Sequence, residues 1–344
     1  MITNPPNQRS LRGHMPQRTS PRAATSAEHH ANLARHLQPR DLWLARMLHE
    51  HKVLTSHQIA ALAWPSVRAA NLRLLQLYRW RMVDRWQPFV TSGSAPMHYV
   101  LDTAGAVAVA REAGLDPADL DYRRDREMGR AYSLRLAHTT GVNSVFAALV
   151  NRARHHHDLT VAAWWSETRC NRLFGDVVRP DGYGRVTSRG HDAEWFLEFD
   201  FGTETLTTLA NKLARYEKLA TTTGIATPVL VWLPSTRRET GARAALLRAL
   251  QALDQPHLVP VATTATDVVA PDRALDPSAT RWQALTPATS ARLDLIDLTL
   301  GWPTSSPATT PTSSTPPAPP GPLAAPPPMP PPQPNYPLSR SGTR

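Results

Sequence analysis

One succession constrains the fold more than any other feature of the chain. Glu194-Trp-Phe-Leu-Glu-Phe-Asp-Phe201 alternates with period two, and Thr227-Pro-Val-Leu-Val-Trp-Leu233 is apolar almost throughout. The first pattern predicts a half-buried strand and the second a strand buried on both faces. A helical segment from Thr203/Glu204 through Tyr216 to Leu219 lies between them. A strand, a helix and a doubly buried strand in series require a sheet layered against helices. The flanks extend the pattern, with a helix over Leu134–Arg154, a strand over Val161–Trp165, a helix over Thr240–Leu253 and a short strand around His257–Val261. The order helix, three strands, helix, strand, helix, strand predicts an α/β domain with a mixed central sheet over residues 133–300.

The preceding part of the chain has a different rhythm. Leu44, Met47 and Leu48 form a helical stripe, and Thr55 with Gln58 makes a capping box ahead of Ile59 and Leu62. After Trp64-Pro65, Ser66 caps a third helix through Val67, Ala70, Leu74, Leu77 and Tyr78 to about Trp80. Two extended segments follow, Met82–Val90 and Met97–Leu101, around the turn-rich Thr91-Ser92-Gly93-Ser94. Three helices and a hairpin predict a winged helix-turn-helix over 39–115, closed by a helix at 103–114, with 116–132 as a mixed-charge connector. The fold class expected for the whole chain is therefore α+β joined to α/β.

Charge is concentrated in the same place. Residues 1–100 hold 13 Lys/Arg against 4 Asp/Glu, whereas the rest of the chain holds 25 against 24. A local basic excess on a helix-turn-helix pattern points to double-stranded DNA, with Arg68, Asn71, Arg73 and Arg79 of the third helix as the contacts. Only three of the 38 basic residues are lysines, a bias that a GC-rich genome also produces, so a winged helix used for protein contact stays open.

Residues 1–38 lack apolar periodicity and are expected to be a disordered basic arm touching phosphates. Residues 301–344 hold 16 of the 33 prolines and are expected to be a disordered, Pro-rich tail, extended or coiled, able to dock an aromatic groove on a protein partner. The single cysteine, Cys170, excludes a disulfide framework and a cysteine-rich zinc site. With no long apolar run and no apolar segment behind the N-terminal arginines, the expected location is the cytoplasm, with no membrane association. A Gly-x-x-x-x-Gly-Lys loop and a Gly-x-Ser-x-Gly elbow are both missing, which argues against P-loop ATP hydrolysis and serine hydrolysis.

The candidate chemistry lies in the α/β part. Pro180-Asp181 is followed by Glu198-Phe199-Asp200, and in a strand residues i and i+2 share a face. If Asp181 begins a neighbouring strand, three carboxylates converge, and Mg²⁺ or Mn²⁺ would neutralise them and activate water. His138 on the preceding helix is read first as a buried, hydrogen-bonded histidine that could alternatively reach a phosphate, and Glu167 after Trp164-Trp165 is a minor candidate for an outer member of the acidic cluster. Trp164 and Trp165 are expected in the core and its rim, and His155-His156-His157 is read as a solvated helix end.

Arg179-Pro-Asp-Gly182, Phe196-Leu-Glu-Phe-Asp-Phe-Gly-Thr-Glu204 and Lys212-Leu-Ala-Arg-Tyr216 resemble the PD-(D/E)xK, restriction-endonuclease-like superfamily. Over about residues 40–265 the chain resembles the replication-relaxation family of bacterial plasmid and conjugative-element proteins. The resemblance implies a DNA-binding accessory protein of plasmid or conjugative-element replication, relaxation or mobilisation, acting beside a replication initiator or relaxase. It also implies a site in which Asp181, Glu198 and Asp200 bind metal. The superfamily's lysine position holds Asp200 here, and Lys212 on the next helix is the substitute. Three readings stay open: a nuclease-like domain without activity, an active metal-dependent endonuclease or nickase, and a winged-helix transcriptional regulator. Whether the protein forms a homodimer is equally open.

Overall fold

A computed structural model describes residues 22–23, 26–90, 93–268, 275–286, 291–302 and 323–332. The first helices are α1 (Ala27–Leu33) and α2 (Pro39–His51), followed by the short strand β1 (Leu54–Thr55) and by α3 (Ser56–Ala63) and α4 (Val67–Arg79). Capping explains where they begin. Thr55 Oγ1 accepts the Gln58 amide while Gln58 Oε1 accepts the Thr55 amide, and Ser66 Oγ accepts the Ala69 amide. Strands β2 (Val83–Trp86) and β3 (His98–Leu101) then form an antiparallel pair, and β1 joins β3 on its other edge. Helix α5 (Thr103–Glu112) packs on α2 and β2. The stretch expected as a connector contains α6 (Arg124–Gly129) and a 3₁₀ turn, Arg130–Tyr132.

Helix α7 (Leu136–His155) opens the larger unit, followed by β4 (Leu159–Ser166), α8 (Glu167–Phe174), β5 (Gly182–Ser188), β6 (His191–Phe199), α9 (Leu206–Thr223), β7 (Val229–Leu233), α10 (Thr236–Gln251), β8 (Val261–Ala265), β9 (Gln283–Ala284) and α11 (Leu295–Leu300). The six strands form one mixed sheet in the order β4-β5-β6-β7-β8-β9, antiparallel except for the β6–β7 and β7–β8 pairs. The crossover helices α9 and α10 make those two pairs parallel. All five residues of β7 and of β8 are buried, as central strands covered on both faces require. Helix α9 ends at Gly224, whose φ of +73° is the left-handed conformation that a side chain disfavours.

Three expectations need correction. The last predicted strand lies at Val261–Ala265 rather than around His257–Val261, because Pro256 starts a 3₁₀ turn and Pro260 precedes the ladder. Its threonines are fully buried, Thr263 donating to Glu239 and Thr264 accepting from Arg281, so polar residues concealed an interior strand. The expected arm is structured in part: α1 lies within it, and Arg22 sits against Tyr78 while pairing with Asp84 and Asp102 instead of pointing to solvent. The expected tail is structured at 323–332, where Leu323 and Met329 pack on the core. The remainder of both tails lies outside the described residues.

The two units share one buried cluster, which runs from Trp43, Leu48 and Leu62 through Val145 and Phe146 to Leu197 and Trp232. Gln58 joins them with polar contacts too, its amide donating to Thr140 O and Ser144 Oγ of α7, both at 2.8 Å. No helix among the described residues is long and apolar enough to cross a membrane.

Candidate functional site

Strands β5 and β6 pair with Gly182 opposite Leu197, which sets Asp181, just ahead of β5, beside Glu198. The Asp181 amide donates to Leu197 O at 3.0 Å, and Asp181 Oδ2 accepts the Phe199 amide at 2.8 Å. The residue thus closes the end of the hairpin and is 7% exposed. From the first turn of α7, His138 Nε2 reaches Phe199 O at 3.1 Å and Asp181 Oδ2 at 3.3 Å. Helix α7 comes this close because residue 141 is glycine: a Cβ there would meet the Phe199 ring at 2.6 Å.

Glu198 is 1% exposed, and both its oxygens are engaged. Oε2 accepts from Lys212 Nζ at 2.7 Å and Oε1 from the Tyr216 hydroxyl, the two donors lying one turn apart on α9. Lys212 also lies 3.5 Å from Glu204. Burial, then the neighbouring Asp181 charge, pushes the Glu198 carboxyl well above the usual carboxylate range, although Lys212 and Tyr216 oppose the shift. Burial pushes Asp181 the same way, but the charge and hydrogen bond of His138 prevail and hold it low. Burial works against the imidazolium of His138, and Asp181 outweighs it and raises its pKa. Lys212 is likewise disfavoured by burial and then raised by Glu198 and Asp181.

Asp200 follows a different course. Strand β6 ends at Phe199, and Asp200 turns to the start of α10, where Arg238 grips both oxygens and the Gly202 amide adds a bond of 2.8 Å. Asp181, Glu198 and Lys212 are therefore brought together, while Asp200 is held by Arg238. Nothing in the sequence ties Arg238 to Asp200, which is 38 residues away.

His138 and Glu167 gain in weight. Among the described residues, His138, Glu167 and Asp181 form a group whose potential ligand atoms lie within 4.8 Å of one another. Glu167 begins α8, which Ser166 caps, and Arg135 pairs with it at 2.7 Å. His138 Nδ1 is buried without a hydrogen-bond partner. These residues line a cavity of about 280 Å³ whose wall also includes Lys52, Arg130 and Arg135, so cations surround an acidic floor. A single imidazole and two carboxylates suit Mn²⁺ or Zn²⁺ better than Mg²⁺, which favours oxygen ligands.

On α4 the four expected contacts divide. Arg68 and Asn71 are exposed and make no side-chain hydrogen bond among the described residues; they line a concavity of about 860 Å³ with Leu72, Arg85, Gln87 and Met97. Arg79 is exposed on the last turn. Arg73 is engaged internally, with Nε 3.0 Å from Asp41 Oδ1, Nη2 3.1 Å from His36 O, and its guanidinium over Trp80.

No curated protein and no solved structure matches the chain. The sequence model described as replication-relaxation matches residues 46–231, more than half of the chain, from α2 to the middle of β7.

Proposed function

The chain belongs to the replication-relaxation family, and from that premise we propose that it is a DNA-binding accessory protein of plasmid or conjugative-element replication, relaxation or mobilisation. In this reading residues 39–115 are a winged helix-turn-helix, with α4 as the recognition helix and the β2–β3 hairpin as the wing. Residues 133–300 are a PD-(D/E)xK-like domain, for which the helix, three-strand meander and parallel crossover strand give support. The observation that carries DNA binding is the exposed Arg68/Asn71 face of α4 beside the hairpin, in the basic part of the chain. Arginine and asparagine side chains there can bond base edges, and Arg79 a phosphate. A replication initiator or relaxase is the expected partner. The test is fluorescence anisotropy with double-stranded DNA across a salt series: affinity that falls as salt rises and weakens in Arg68→Ala supports the reading, and no binding at low salt rejects it.

With Glu198 and Asp200 fully engaged by Lys212, Tyr216 and Arg238, the acids of the nuclease-like domain act first as internal struts. A second reading, a metal-dependent endonuclease or nickase, is favoured by the His138–Glu167–Asp181 group and the unpaired His138 Nδ1. In that reading these three residues would hold the ion, which when bound would supply a water of lowered pKa. Lys52, Arg130 and Arg135 would hold the phosphate at the mouth, and Lys212 would keep Glu198 charged beneath it. Supercoiled plasmid with Mn²⁺ or Mg²⁺ separates the readings: nicking that disappears in Asp181→Ala and Glu198→Ala establishes the enzyme, and intact plasmid at high protein concentration leaves the accessory role.

A further inference from the structure

The proline-rich stretch 323–332 crosses from the N-terminal unit to the sheet unit. Trp43 Nε1 on α2 donates to Pro327 O at 2.8 Å, and Arg169 Nη2 on α8 donates to Leu323 O at 2.8 Å. Pro326 and Pro328 are buried while Pro327 between them is exposed, and Leu323 and Met329 pack against the shared core. Trp43 itself is only 4% exposed.

The residue types account for the arrangement. Proline fixes its own φ and drives the preceding residue into extended conformations, so Ala325 to Pro331 is held extended in advance. Such a segment satisfies few of its own carbonyls, and a groove that recognises it supplies an aromatic wall and an N–H donor. Trp43 provides the donor, and it is itself an aromatic residue at that place. Arg169 is fixed for its task by Glu50, which accepts from its Nε at 2.9 Å and its Nη2 at 2.8 Å, so the second donor is built into the seam between α2 and α8.

We propose that the seam between α2 and α8 is a binding site for an extended, proline-rich peptide, occupied in the same chain by residues 323–332. The ligand is recognised through carbonyl oxygens by Trp43 and Arg169 and through the alternate faces of its prolines. Its occupancy ties the two units together at a place distinct from the α3–α7 contact.

The test uses the full chain carrying Pro326→Glu and Pro328→Glu, changes in the ligand that leave the groove intact. Solvent exchange of the Trp43 indole N–H, followed by NMR, should rise by at least about tenfold in the variant. A synthetic peptide spanning residues 321–334 should restore protection in a dose-dependent way. Unchanged exchange in the variant, or no effect of the peptide on a variant that has lost protection, overturns the proposal. Light scattering gives an independent result: a wild-type dimer that becomes monomeric in the variant would assign the ligand to a second copy and overturn occupancy within the chain.

Discussion

Two polar regions of this protein use charge in opposite ways. On the outer face of α4, Arg68 and Asn71 stand in solvent and make no side-chain hydrogen bond among the described residues. At the end of β6, Glu198 and Asp200 have every oxygen engaged by Lys212, Tyr216, Arg238 and the Gly202 amide. Buried ions that satisfy one another are parts of the fold, and removing one partner strands the other. Exposed groups with nothing to hold contribute little to stability and are available to a ligand. Arg73 belongs with the first group by position and with the second by chemistry, because Asp41 claims it.

Acid should sharpen the contrast most. His51 and His98 are buried and neutral, burial lowering His51 to about 3 and His98 to about 4. Their folded-state pKa values lie below the unfolded value, so the stability they contribute is complete above about pH 6.5 and declines by about 1.4 kcal/mol per pH unit each as pH falls toward 4. Glu198 has the opposite sign: its raised pKa means its contribution is complete in acid and is lost as pH rises toward neutrality. Hydrogen exchange across this range should therefore show residues 39–101 opening before β5–β7, and the reverse order would break the comparison.

Next in size, Glu198→Ala leaves the Lys212 ammonium and the Tyr216 hydroxyl unpaired in a buried setting and should cost about 3 kcal/mol in urea unfolding. Glu198→Gln, which keeps the shape and one acceptor, should cost clearly less. Arg73→Ala and Arg68→Ala form a paired test. The first strands the buried Asp41 and should lower stability by about 2 kcal/mol. The second should leave unfolding unchanged and weaken duplex binding by about 1–3 kcal/mol. Equal effects of the two on both measurements would erase the distinction between engaged and available arginines. The smallest effect is expected at Arg79, where alanine should reduce the slope of log affinity against log salt by about one, measured by anisotropy.

The parts legible in the sequence are those set by neighbours along the chain. The Thr55–Gln58 box and Ser66 placed α3 and α4, and unbroken apolarity placed β7. What escaped was decided by distant partners. Helix α8 is short and mostly polar, and its start depends on Glu50, which accepts from the Ser166 amide 116 residues ahead. The face shared by Glu198 and Asp200 held only while the strand continued, and β6 stops one residue too early. The pairing of β5 with β6 sets Asp181 beside Glu198, as strand periodicity allows, whereas Lys212, expected only from the family resemblance, reaches Glu198 from α9. The weights of His138 and Glu167 rested on how α7 and α8 converge, which no local pattern records.

The double use of Gln58 has one more consequence. The Gln58 side chain that completes the capping box of α3 also grips α7, so a swivel of the module bearing α4 on the sheet would disturb one half of that box. If α4 seats a duplex as proposed, that duplex would lie at one bearing to the sheet. The direction in which bound nucleic acid leaves the protein would then be written once, as the polypeptide folds, and not renegotiated at each encounter.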